Sequence, residues 1–137
     1  MKQEDKDLLS KDLCARLPYG VKIETEYFKK ATLVEIRKNI SYGARKDLLI
    51  TYDISGEETP YQSEERSTSI DKIKPYLFPL SSMSEEQKKE YENTTIKDGI
   101  LTVWTTSTYD WLDKNHFDYR GLIPMGLAND ATGKNVY

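Results

Sequence analysis

Cysteine and histidine are almost missing from this chain: Cys14 and His116 stand alone among its 137 residues. One cysteine cannot close an internal disulfide, and a cysteine-based zinc site needs several thiolates. One histidine leaves a nucleophilic relay with a single candidate base and excludes a two-histidine metal site. Apolar runs are equally scarce, and the longest fall far short of the ~20 residues that cross a bilayer. The opening MKQEDKDLLSKDL alternates acid and base without the apolar stretch of a signal peptide, so the expected compartment is the cytoplasm.

What is present points to a folded domain with a thin, aromatic core. Hydrophobic residues make up only 37% of the chain, and the mean hydropathy is -0.71. Ten Tyr, three Phe and two Trp offset this, because each buried ring removes about 150–250 Å² from water. Charged residues reach 31% but nearly cancel, leaving a net charge of -3. Balanced charge with recurring β-branched and aromatic residues argues against wholesale disorder. The length suits one domain.

Periodicity predicts an α+β fold. Leu9, Leu13 and Leu17, with Leu8 beside them, mark one face of a helix over 4–17, in which Cys14 is expected to be a small core or boundary residue. Pro18-Tyr19-Gly20 ends it. Three strands follow by alternation: Val21, Ile23 and Tyr27, then Val34, Ile36 and Ile40, then Leu48, Ile50, Tyr52 and Ile54. Short connections make these an antiparallel meander of three to four strands under the first helix, with 100–104 as the fourth. Ser69 to Leu77 reads as a helical turn running into an extended piece, and Ser84-Glu85-Glu86-Gln87 is a capping box opening a helix to about Tyr91. Two further short C-terminal helices are expected, one from Ser107 and one over 119–128. Residues 55–68 read as a flexible loop and 129–137 as a polar tail of the single domain 1–137.

Three segments resemble short proteins of gut Bacteroidales bacteria, their phages and integrated elements: KDLCARLPYGVK (Lys11 to Lys22), KPYLFPLSSMSEEQKKEY (Lys74 to Tyr91) and DWLDKNHFDYRGLIPMGLA (Asp110 to Ala128). Together they cover about a third of the chain, and the strand region between them carries no such likeness. Where those proteins tend to carry a charged residue this chain has Pro124, which interrupts a continuous last helix. The resemblance implies a cytoplasmic accessory protein of a mobile element. It brings no activity, cofactor or catalytic residue with it.

Searching the residues for chemistry yields little. His116 sits in KNHFDYRG at an expected helix end, where an imidazolium would suit the last carbonyls. Asp110 and Asp113 share a helix face at i, i+3, but an acid near a helix start serves the dipole, and Asp118 is placed as an N-cap. ANDATGKN lacks the first glycine and the Ser/Thr of a phosphate loop, and no helix follows it. No catalytic residue, metal or cofactor is therefore expected.

Charge and aromatic placement leave two binding readings open. Lys29, Lys30, Arg37, Lys38, Arg45 and Lys46, with Tyr42 and Phe28 nearby, face only Glu35 across 29–46. Such a basic sheet edge either pairs with the phosphates of single-stranded nucleic acid or blunts an exposed edge against aggregation. The C-terminal stretch holding Trp111, Phe117, Tyr119 and Met125 either completes the core or presents an aromatic, Met-containing surface to a protein partner. A host or phage protein is the expected partner, and a non-enzymatic interaction module the expected class.

Overall fold

The computed structural model describes residues 1–38, 48–54 and 65–137, the side chains of Lys38 and Glu65 excepted. Among the described residues it is an α+β fold in which three α-helices accompany a mixed sheet of seven strands and a separate two-stranded ribbon.

Helix α1 spans Gln3–Arg16. Leu9 and Leu13 are buried on its inner face, while Cys14, next along the chain, points outward and is exposed rather than part of the core. Leu17–Tyr19 tighten into a 3-10 turn, and Gly20 closes it with φ +67, a left-handed conformation that glycine adopts without a Cβ penalty. The chain then lays down β1 (Lys22–Glu24), β2 (Ala31–Lys38), β3 (Leu48–Asp53) and β4 (Glu65–Ser69) as antiparallel neighbours. The expected loop over 55–68 thus ends in a strand from Glu65 onward, and its residues 55–64 lie outside the described residues, as does Ile40. After a 3-10 turn at Ile70–Lys72, β5 (Lys74–Pro79) returns to pair antiparallel with β1.

The meander is only part of the sheet. Two short strands, β8 (Phe117–Asp118) and β9 (Asn129–Asp130), pair parallel to β5, so the sheet is mixed rather than wholly antiparallel. The strand order is β4-β3-β2-β1-β5-β8, with β9 also on β5. A two-residue strand carries no periodicity, which is why neither is readable beforehand. The expected polar tail is tied down in the same way: Ala131 and Val136 are buried against Tyr76, and the Tyr137 hydroxyl accepts from Lys22 N and donates to Tyr76 O.

The main core joins α1 (Leu9, Leu13) to Val21, Ile23, Leu33, Ile50, Tyr52, Ile54 and Leu77, and is closed by Leu122 and Leu127. The third strand buries the side expected of it. The second does so only in part: a register shift between Leu33 and Glu35 puts Leu33 inside and leaves Val34 exposed, while Ile36 beyond it packs against the core as expected. A bulge adds a residue to one strand and reverses the faces beyond it. Tyr27, assigned to the inner face of the first strand, lies past its end and is exposed.

Three elements stand beside the sheet. Helix α2 (Glu85–Thr94) opens on Ser84, whose hydroxyl accepts from Gln87 N while the Gln87 side chain accepts from Ser84 N, the reciprocal box predicted. Helix α3 is Thr106–Lys114, capped by Thr105. Between them β6 (Ile96–Asp98) and β7 (Leu101–Val103) form a hairpin that pairs with no other strand among the described residues, so the expected fourth strand of the meander belongs to this ribbon. Residues 119–128, expected as a last helix, are a chain of turns; Gly121, Pro124 and Gly126 break them, and the Asp118 carboxylate accepts from Leu122 N and Ile123 N at 2.9 Å.

Candidate interaction surface

The hairpin follows from its turn. Asp98 pairs with Leu101, leaving Gly99 and Ile100 as a two-residue loop, and Gly99 takes φ +62 at the first loop position, as a type II′ turn demands. Ile96 faces Val103 across the ribbon and Lys97 faces Thr102, whose Oγ1 accepts from Lys97 Nζ at 3.2 Å. The apolar residues are not covered. Ile96 is 57% exposed, Leu101 62%, Val103 44%, and Ile100 at the tip is fully exposed. Four large aliphatic side chains on one eight-residue protrusion form a contiguous patch, unlike apolar residues scattered singly.

The base of the hairpin is held firmly. Thr94 O, at the end of α2, accepts from the hydroxyls of both Thr105 and Thr108, each at 2.8 Å. Trp104 Nε1 donates to the Tyr91 hydroxyl at 2.7 Å, and Tyr91, Tyr109 and Tyr119 meet the Trp104 ring edge-on at 6.2, 5.4 and 6.1 Å. Edge-to-face pairs at these separations are individually favourable by about 0.5–1.5 kcal/mol beyond burial. They make a shelf beneath the hairpin, with Tyr109 exposed and Trp104, Trp111 and Tyr119 half-buried.

A polar network fastens this shelf to the main fold. Asp12, fully buried, accepts from Arg16 Nε at 2.9 Å and from Arg120 Nη1 at 2.8 Å. Arg16 Nη2 also donates to Phe117 O at 2.6 Å. Both guanidinium groups lie over the Tyr119 ring, at 5.4 and 4.5 Å, and the Tyr119 hydroxyl donates to Asp113 at 2.7 Å. Burial drives the Asp113 carboxyl above its usual range against the Tyr119 hydrogen bond and the nearby Arg16 and Arg120 charges, and burial with the Asp113 contact drives the Tyr119 hydroxyl upward. Two arginines and two aspartates thus balance in a site that water barely reaches. No sequence pattern singled out Asp12, Arg16 or Arg120; a charged i, i+4 pair on the Leu9/Leu13 side of α1 was the available signal.

The residues singled out for chemistry land apart. His116 follows α3 with φ +62, is buried, and stacks on Tyr137 at 3.8 Å. Burial, helped by Arg16 and Lys22, lowers its pKa to about 4, so it is neutral rather than the imidazolium expected at a helix end. Its Nδ1 has no hydrogen-bond partner among the described residues. Asp113 is buried and accepts from the Tyr119 hydroxyl, whereas Asp110 on the same face of α3 is exposed. A shallow cleft of about 220 Å³ is lined by Glu24, Glu26, Asp71, Lys72 and Lys74, but Glu26 is paired with Lys72 at 3.2 Å and Glu24 accepts from Asn129. Among the described residues no three His, Cys, Asp or Glu side chains converge as metal ligands would.

The binding candidates divide similarly. Trp111 joins the shelf and donates to Glu90 at 3.1 Å, Tyr119 belongs to the polar network, and Met125 is exposed on the terminal turns. Phe117 is 1% exposed and stacked on Trp111, so it is a core residue and presents nothing to a partner. Lys29, Lys30 and Arg37 are exposed, Arg37 lying 3.9 Å from Glu35. Tyr42, Arg45 and Lys46 lie outside the described residues, as does the Lys38 side chain. Compared with protein-family models, curated proteins and solved structures, the chain finds no match.

Proposed function

We propose that this chain is a non-enzymatic protein-interaction module, working in the cytoplasm as an accessory protein of a mobile element, which takes its partner at the β6–β7 hairpin and the aromatic shelf beneath it. The observation that carries this reading is the exposed aliphatic tip on a clamped, aromatic base. Aromatic and aliphatic residues presented together on a held scaffold suit the buried centre of a protein interface. Charge argues for protein rather than nucleic acid at this surface. Residues 84–114 carry seven carboxylates against four lysines, and that net of -3 repels phosphates. The outer edge of β7, which no strand among the described residues pairs with, adds main-chain groups that an extended segment of a partner can pair with. A photo-crosslinking residue at Ile100, in cells that naturally encode the chain, tests the reading against the same residue placed at Lys29. Discrete protein adducts from position 100 alone are expected. Equal adducts from both positions, or none from position 100, refute it.

A second reading rests on Tyr27, which is 79% exposed in the same β1–β2 loop as the exposed Lys29 and Lys30. A ring free to stack on a base beside two cations is the minimum that single-stranded nucleic acid needs.

A further inference from the structure

We infer that the partner at this hairpin is a second copy of the chain, joined edge to edge along β7, an inference that rests on the protein-interaction reading above. The two edges of the ribbon are not equivalent. Pairing β6 antiparallel with its own copy about its centre sets Lys97 against Lys97, and like charges directly opposite one another oppose pairing. Strand β7 carries no charge: it is Leu101-Thr102-Val103. Centred on Thr102, its self-pairing sets Thr102 against Thr102 and Leu101 against Val103 on both sides of a two-fold axis. One residue further, Ile100 meets Trp104. Thr–Thr and aliphatic cross-strand pairs are favourable, and Ile100, fully exposed in one copy, gains a large ring opposite it.

The backbone agrees with the side chains. A two-residue loop makes Asp98 and Leu101 the hydrogen-bonded pair that closes the hairpin, and alternation makes Ile96 and Val103 the next. The N–H and C=O of Thr102 therefore point away from β6, and no strand among the described residues pairs with that side of β7. Edge strands left open are usually blunted by shortness, charge, proline or a bulge; β7 is short but carries no charge, proline or bulge. A symmetric pair gives Thr102 two reciprocal bonds and converts a two-stranded ribbon, marginal by itself, into four strands. Each copy brings the same net -3 over 84–114, so repulsion between the rims works against the dimer and salt relieves it.

Sedimentation velocity of the full chain tests this. A dimer is expected, with an apparent Kd that tightens as salt rises, opposite to phosphate binding. Thr102→Pro removes the outward N–H without touching the hairpin's own ladder, and is expected to give a monomer with an unchanged circular dichroism spectrum. An independent variant covers the case in which proline disturbs the turn. In a Cys14→Ser background, Thr102→Cys oxidised by diamide is expected to give a covalent dimer, and Lys97→Cys to give none. A wild-type monomer at about 100 μM, a concentration that populates any dimer with Kd below that value, together with no Thr102→Cys crosslink, overturns the inference. So does a dimer that survives Thr102→Pro and crosslinks through position 97. If the Ile100 photo-adducts then have the mass of a different protein, only the self-pairing fails; if there are none, the interaction reading fails with it.

Discussion

Replacing His116 tests whether its burial on Tyr137 is as complete as the geometry implies. The ring is stacked on Tyr137 at 3.8 Å with an interplanar angle of 13°, and its pKa is lowered to about 4. In the unfolded chain the same group titrates near about 6.5. Between those values the unfolded state binds a proton that the folded state refuses, so stability falls as pH drops from about 6.5 towards 4. Each pH unit inside that window costs about 1.4 kcal/mol, which makes the loss by pH 5 about 2 kcal/mol. His116→Asn removes the titration while keeping a residue that tolerates the observed φ of +62. The variant is expected to lose about 1–3 kcal/mol at pH 7 through the lost stack and burial. Its deficit should then shrink by about 2 kcal/mol at pH 5. Asp113, raised rather than lowered, pulls the other way in acid, but it is common to both proteins and cancels in the difference. Urea denaturation of both chains at pH 7 and pH 5 measures it. Parallel pH dependences for the two would refute the buried, neutral histidine.

Two other perturbations probe separate parts of the molecule. Asp12→Ala leaves Arg16 and Arg120 without their shared carboxylate, and should cost about 3–5 kcal/mol in urea denaturation, as breaking a buried ion pair from one side does. Lys29→Glu with Lys30→Glu should abolish any single-strand binding measured by fluorescence anisotropy, after a wild-type salt slope of about -1.4 for two phosphate contacts; a flat wild-type titration at the lowest salt removes the nucleic-acid reading.

Strong local patterns were legible in the sequence, and pairing partners were not. Leu9 and Leu13 at helical spacing, Ile50-Tyr52-Ile54 in alternation, and the Ser84/Gln87 box each announce their element because the cause lies within a few residues. The parallel strands β8 and β9 are different: Phe117 and Asn129 become strand residues only because β5 offers them free backbone groups. The bulge after Leu33 likewise exposes Val34 through pairing with β3, which alternation along one strand cannot reveal. For the candidate surface, the strand at 100–104 was legible, but its three-residue partner β6 is too short to show alternation. That the ribbon stands uncovered depends on tertiary packing.

That packing also explains how so polar a chain keeps an aliphatic hairpin rigid. The main core and the smaller cluster around Tyr76 anchor the sheet, and neither includes Trp104 or Tyr109. The shelf is held instead by directional contacts: the Thr94 carbonyl, the Trp104–Tyr91 hydrogen bond, and Tyr119 between Asp113 and two guanidinium groups. Hydrogen bonds and ion pairs fix geometry better than apolar contact does, and they lose most when a single partner is removed. Asp12 and Arg16, on α1, therefore bear on the orientation of a hairpin far along the chain, at Ile96 to Val103. If the hairpin is the working surface, variants in that buried network should loosen it before they unfold the sheet, and hydrogen exchange at Leu101 to Val103 should rise in Asp113→Ala while exchange at Ile50 to Tyr52 does not.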